Sequence, residues 1–217
     1  MLNPGEIHVW RVRLNRGKAL PPTAEEAARA ARFLTPALRR RYLRAHAALR
    51  AILANFTDAP LEFALHEKGK PYLASAPQIR FNLAHSREMA LVAVAREVEV
   101  GVDIERVRPL PEYAAIAQRY FPAGYTSPTG VRDFFRHWTR FEALLKAHGA
   151  GLYGAGATPP GVWTVAEIDT GPGFTAALAV EGPLPTIIIH ELLPGAESLP
   201  DGRGSDPSRD RQGAIAD

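Results

Sequence analysis

The sequence predicts an α+β fold, and three observations carry that prediction. Apolar and polar residues alternate over 6–13, 79–83, 162–168 and 174–180, the period of half-buried strands. Residues 36–55 and 131–148 instead carry apolar side chains at helical spacing. Helices are followed by runs of strands rather than alternating with them one by one, which favours a mainly antiparallel sheet over a parallel α/β sheet. That order occurs twice, on either side of Pro109 and Pro111. We therefore expect an N-terminal half over 1–106 and a C-terminal half over 107–195. Residues 196–217 are rich in Gly, Pro, Ser, Asp and Arg and have the composition of a disordered tail.

Taken in order, 6–13 is a strand with Ile7, Val9 and Trp10 inward. Thr23 is an N-cap with Glu26 at the capping-box position, opening a helix to about Phe33. Pro36 opens a second helix, to about Asn55, with Leu38, Tyr42, Leu49, Ile52 and Leu53 as its apolar positions. Residues 61–65 form a short strand, Gly69-Lys70-Pro71 a turn, and Tyr72-Leu73 an extended segment. Residues 79–83 form a strand with Ala84-His85-Ser86 just beyond its end, where functional side chains are common. Residues 89–95 read as a buried strand, turned at Arg96-Glu97 into one that ends near Asp103. In the second half, helices over 111–120 and 131–148 flank a Gly/Pro/Ser/Thr-rich loop at 122–130. Gly149 stops the second helix, and a glycine-rich loop follows. Strands over 162–168, 174–180 and 186–192 complete the chain.

Composition sets outer bounds. The chain has 217 residues, 46% of them hydrophobic, enough for a real core in one large domain or two small halves. It contains no cysteine, which excludes disulfides and thiolate metal sites and fits a reducing compartment. The first residues have neither a basic nor an apolar leader segment, and no stretch reaches membrane-spanning length, so we expect a cytoplasmic protein with no membrane association. Net charge is only +3, but no acidic residue occurs between Ala27 and Thr57, where Arg29, Arg32, Arg39, Arg40, Arg41, Arg44 and Arg50 fall. Such a field attracts phosphates or an acidic partner, although a solvated basic helix face would read the same way.

The chemistry concentrates in two segments. Gly101-Val102-Asp103-Ile104-Glu105 ends a strand, so Asp103 and Glu105 project from one face. Trp138-Thr139-Arg140-Phe141-Glu142-Ala143-Leu144-Leu145-Lys146 is helical, with Phe135, Trp138, Glu142 and Leu145 on one stripe and Phe141 at its edge. Lys146 follows Glu142 by one turn. Alone, an Asp-x-Glu pair on a strand is usually solvated, and a helical Glu usually pairs with Lys four residues on. Together, with Glu142 inside an apolar stripe, they suggest three carboxylates meeting. A hard divalent cation such as Mg²⁺ would compensate them.

With Gly69-Lys70-Pro71 and Phe81-Asn82-Leu83-Ala84-His85-Ser86, these segments resemble the 4′-phosphopantetheinyl transferases in order and spacing. The likeness is to the longer subgroup, whose single chain folds as two similar halves in pseudo-twofold arrangement with the active site between them. It runs over about residues 6–193, and the last two motifs are its most specific part. It implies transfer of the phosphopantetheine arm of coenzyme A to a serine of an acyl or peptidyl carrier protein, releasing adenosine 3′,5′-bisphosphate. It implies Asp103, Glu105 and Glu142 as Mg²⁺ ligands and Lys146 on the phosphates. Arg41 and His85 would bind the 3′-phosphate, with Lys70 and Ser86 along the nucleotide. Glu142 is also the candidate base, and a monomer is expected.

Two positions depart from the family pattern. Phe141 stands where a lysine commonly precedes the glutamate, and Ala84 where a serine is common. Loss of that lysine leaves a non-catalytic coenzyme A- or carrier-binding relative as one alternative. Another metal-dependent phosphate enzyme, such as a nuclease, is a second. No nucleic acid is expected as a partner, because the basic cluster lacks a recognition motif or a stacking pattern.

Overall fold

Strand β1 (Glu6–Arg13) lies inside a four-stranded sheet, and most of the architecture follows from what pairs on its two sides. In the computed structural model, which describes residues 2–16, 20–122, 125–149 and 159–192, the chain is α+β as expected. The capping box is formed: Thr23 Oγ1 accepts from Glu26 N and Glu26 Oε2 from Thr23 N, opening α1 (Ala24–Ala31). This helix stops short of Phe33. Thr35 caps α2 (Pro36–Leu53), which packs Leu49, Ile52 and Leu53 on the sheet with Trp10 and Phe81. Leu38, expected inward, is 40% exposed, because the first turn of α2 overhangs the core.

A two-stranded ribbon, β2 (Phe63–Leu65) and β3 (Pro71–Leu73), precedes β4 (Ile79–Ser86). Gly69 takes a left-handed φ of 85° in the ribbon's turn, a conformation glycine adopts without steric cost. Strand β4 runs through His85 and Ser86, so these two residues are its last, not a loop beyond it: they pair with Ala90 and Met89 of β5 (Met89–Arg96). The first sheet has the order β4-β5-β1-β9, with β9 (Thr186–Leu192) parallel to β1 and the other neighbours antiparallel.

The second sheet has the order β6-β8-β7, from β6 (Val100–Arg106), β7 (Trp163–Glu167) and β8 (Phe174–Glu181). Across the expected boundary at residue 106, each sheet thus takes one strand from the other side: β6 joins β8, and β9 joins β1. Helix α3 (Tyr113–Tyr120) begins two residues later than the expected Pro111. Helix α4 (Val131–His148) lies on the second sheet and ends at Gly149, left-handed at φ 77°. The expected glycine-rich loop after Gly149 falls largely, and the tail over 196–217 wholly, outside the described residues. No helix among the described residues is long and apolar enough to cross a membrane.

The two sheets meet where β4 runs beside β6. No backbone ladder joins them; side chains do. Asn82 Oδ1 accepts from Val102 N at 2.9 Å, and Ser86 Oγ accepts from Arg106 N at 3.1 Å. Below that seam, Val100, Val102 and Ile104 share one core with Ile7, Val9, Ala84 and Leu91, which binds both sheets into one body.

Candidate active site

Alternation along β6 sends Val100, Val102 and Ile104 into the core and leaves Gly101, Asp103 and Glu105 for the other face. Helix α4 covers that face through small residues: Ala143 and Ala147 pack on Ala177 and Ala179 of β8. The approach is closest at Gly101. A Cβ there would stand 2.3 Å from both Ala143 O and Ala147 N. Only glycine lets the helix backbone come this near, and the result brings Glu142 and Lys146 down beside the β6 carboxylates.

Asp103 is buried. Its Oδ1 accepts from Lys146 Nζ at 2.5 Å, while its Oδ2, also buried, has no partner among the described residues. Burial raises its pKa above the ordinary carboxylate value, and the Lys146 charge opposes this. Glu105 accepts from Ser86 Oγ at 2.9 Å and lies 3.5 Å from Arg108. Burial raises its pKa too; the Ser86 bond works against this and the Asp103 charge adds to it. Glu142, half-buried on α4, is raised by burial first and then by Asp103, with Lys146 opposing.

The three predicted carboxylates therefore share one electrostatic field with one lysine. Their hard oxygens, their mutual repulsion and the unpartnered Asp103 Oδ2 fit a magnesium-type cation. They are not drawn into a closed ligand set: among the described residues, no three His, Cys, Asp or Glu side chains stand close enough together to hold an ion.

Strand β4 links this cluster to the basic helix. Asn82, Ala84 and Ser86 turn toward β6, while Phe81, Leu83 and His85 turn toward α2. His85 keeps an exposed edge at the end of β4, and desolvation by the protein around the rest of its ring holds its pKa below the usual value, reinforced by the charges of His46, Lys146 and Arg41. The charges of the predicted Arg41 and Lys146 thus reach the predicted His85. His46 joins them although the sequence reading passes over it. Its signal was of the kind that marked Glu142, a polar residue inside the apolar stripe of its helix. Its ring packs on Tyr42 with centroids 4.0 Å apart.

Lys70 stands apart from this group. Its ammonium donates to Glu99 Oε2 at 2.5 Å, Ala147 O at 2.6 Å and Val100 O at 3.2 Å. Burial lowers its pKa, and Glu99 opposes that shift.

The two departures from the family pattern are both packing positions. Phe141 is 2% exposed and meets Phe121 and Tyr125 with centroids 5.7 and 6.3 Å away, so it lies in the core rather than at the edge of a stripe. Ala84 is buried at the seam between sheets. A separate cleft of about 710 Å³, lined by Arg132, Asp133, Arg136 and Glu167 among others, contains none of the predicted residues.

Comparison with known proteins bears on the same residues. Residues 99–186, which carry Asp103, Glu105, Glu142 and Lys146, match the family model of the 4′-phosphopantetheinyl transferase superfamily. The chain is 34% identical over 166 residues to the 4′-phosphopantetheinyl transferase HetI of Nostoc sp. (strain PCC 7120), covering 68% of this chain and 70% of that protein. It is 29% identical over 154 residues to the 4′-phosphopantetheinyl transferase AcpT of Salmonella typhi, covering 66% and 79%. It is also 35% identical over 101 residues to a 4′-phosphopantetheinyl transferase of Bacillus subtilis, covering 43% and 44%. With its carboxylate strand and lysine-bearing helix inside the matched region, the chain belongs to the 4′-phosphopantetheinyl transferase superfamily and is an enzyme of that kind.

Proposed function

We propose that this enzyme moves the 4′-phosphopantetheine arm of coenzyme A onto a serine hydroxyl of an acyl or peptidyl carrier protein, in an Mg²⁺-dependent reaction that releases adenosine 3′,5′-bisphosphate. The observation that carries the reading is the pair of Lys146 and buried Asp103, whose second carboxylate oxygen has no partner among the described residues, with Glu105 and Glu142 within reach of both charges. Asp103, Glu105 and Glu142 would hold Mg²⁺. Bound there, it would withdraw negative charge from the pyrophosphate of coenzyme A.

The chain's own groups divide the remaining work. Arg41 and His85, with His46 beside them, face the 3′-phosphate. Ser86 lies along the nucleotide and fixes Glu105 through its hydrogen bond. Lys146 contacts the phosphates from its place on Asp103. The serine oxygen bonds to the phosphorus that carries the pantetheine arm, and the bond from that phosphorus to the adenosine bisphosphate breaks. Glu142 accepts the serine proton. It can serve as ligand and base together only while one of its oxygens is free. The protein works as a monomer in the cytoplasm, its two halves in pseudo-twofold arrangement about the site.

The burial of Phe141 supports an active enzyme, because that position is committed to packing rather than to a lost catalytic lysine. The test is the intact mass of an apo carrier protein incubated with the enzyme, coenzyme A and Mg²⁺. Parallel samples lack metal or contain Glu142→Ala. One added phosphopantetheine, absent from both controls, is the expected result. No addition to any of several carriers, despite coenzyme A binding, would leave a non-catalytic relative.

A further inference from the structure

Lys70 is bound at both ends of one contact. Ala147 O, which it reaches at 2.6 Å, belongs to the last turn of α4, whose carbonyls have no partner within the helix. A cation there also suits the negative end of the helix dipole. Val100 O, at 3.2 Å, belongs to the residue that opens β6. Glu99 completes the set at 2.5 Å, and its other oxygen is held by Arg80 at 3.3 Å. An ammonium has three N–H donors, and all three are used. The stem of Lys70 lies along the end of the helix: a Cβ on Gly149 would sit 3.5 Å from both its Cβ and its Cδ.

These bonds fall beside the closest approach of helix and strand. Val100 precedes Gly101, and Ala147 is the residue whose backbone a Gly101 side chain would strike. Lys146 precedes Ala147, and Asp103 lies a short step along β6. The Lys70 bonds therefore fix the α4–β6 contact next to the reacting groups. A nucleotide contact would require an ammonium that is already spent.

We infer that Lys70 is a positioning residue, which fastens the C-terminal turn of α4 to the start of β6 and so sets where Glu142 and Lys146 stand against Asp103 and Glu105. The inference rests on the transferase reading for what is positioned, but the clamp can be tested without it.

The experiment compares the full chain with Lys70→Met and Lys70→Arg by three readouts: hydrogen exchange along α4, coenzyme A affinity by calorimetry, and kcat for carrier modification with Mg²⁺. In Lys70→Met, amides of residues 145–149 exchange roughly tenfold faster while the first turns of α4 are unchanged. The same variant loses about a hundredfold in kcat, the scale of a misplacement of about 1 Å. Its dissociation constant for coenzyme A stays within about threefold of the parent, because no contact to the nucleotide is removed. Lys70→Arg, which can still donate to the carbonyls, recovers part of the kcat and of the protection.

A rise of about tenfold in the coenzyme A dissociation constant, with exchange and kcat at the parent level, would overturn the clamp and return Lys70 to the nucleotide. Should Lys70→Met fail to fold, Glu99→Gln removes the charged acceptor alone. Faster exchange at 145–149 with unchanged coenzyme A affinity supports the clamp, and unchanged exchange overturns it. If the parent enzyme transfers nothing, the transferase reading fails by itself, and exchange and affinity still decide the role of Lys70.

Discussion

Lys146 Nζ lies 2.5 Å from one oxygen of Asp103, and the other oxygen of that buried carboxylate meets no hydrogen-bond donor among the described residues. The pair is half of a compensation. Lys146→Met leaves a buried carboxylate with no cation and should cost about 3 kcal/mol, the low end for breaking a buried pair because Lys146 is partly exposed. Urea denaturation measures the loss. Adding Asp103→Asn should recover most of it, whereas a double variant no more stable than Lys146→Met would show that the pair is not the source.

Gly101→Ala tests the approach of helix to strand. The new methyl meets backbone atoms of α4 at 2.3 Å, and neither is the flexible end of a side chain. The helix must move outward. Overpacking of this kind costs about 1–3 kcal/mol. The displacement should lower kcat by about a hundredfold. A variant with parental stability and kcat would mean that α4 is not seated on β6 in solution as described.

Phe141→Lys restores the residue common in the family, and it should do harm. The ring is fully buried against Phe121 and Tyr125. Losing it costs about 3–5 kcal/mol, and burying an ammonium adds to that. We expect a large fall in thermal midpoint and no gain in transfer rate. A stable, faster variant would show that the site had lost a catalytic lysine.

Acidification should weaken the fold through His46 and His85. Desolvation by the surrounding protein holds half-buried His46 and the more exposed His85 below the ordinary 6.5, so the folded chain binds fewer protons than the unfolded chain between the lowered values and 6.5. Their contribution to stability is complete above 6.5 and is lost as pH falls from there through the lowered values. His8 and His190, also lowered by burial, act in the same sense. Asp103, Glu105 and Glu142 act in the opposite sense. Their pKa values are raised from 3.8, 4.5 and 4.5, so their contribution is complete below those values and is lost as pH rises through the raised ones. Between pH 7.5 and pH 5.5 the double variant His46→Gln/His85→Gln should therefore lose less stability, read from urea midpoints, than the parent does, and an equal acid dependence in the two proteins would exclude these residues.

Much of this was legible wherever the signal is local. The alternation of 6–13, the Thr23–Glu26 box and the run ending at Gly149 each gave an element with its bounds nearly right, because caps and periodicity depend on near neighbours. Asp103 and Glu105 on one face followed from the two-residue period of a strand. What failed depended on distant chain. For Phe141 only the depth was missed: a packing role at the edge of a stripe was in view, but its ring partners Phe121 and Tyr125 come from the segment before α4 and give no periodic sign on the helix itself. His85 was expected beyond its strand, because only pairing with Ala90 extends β4 that far. Nothing in Gly-Lys-Pro tells that the lysine ends on a helix carbonyl 77 positions away.

The parallel pairing of β9 with β1 also has a consequence in time. His8 and His190, hydrogen-bonded across that pairing, are 182 positions apart in the chain. A ribosome releases the N-terminus first, so β1 must wait with one edge open until nearly the whole described chain has emerged. Closing so distant a contact is slow, because the intervening loop must be ordered first. The nascent chain would then carry an unpaired strand edge for most of its synthesis. Shielding of that edge, more than the strength of the finished core, would govern how much enzyme a cell recovers.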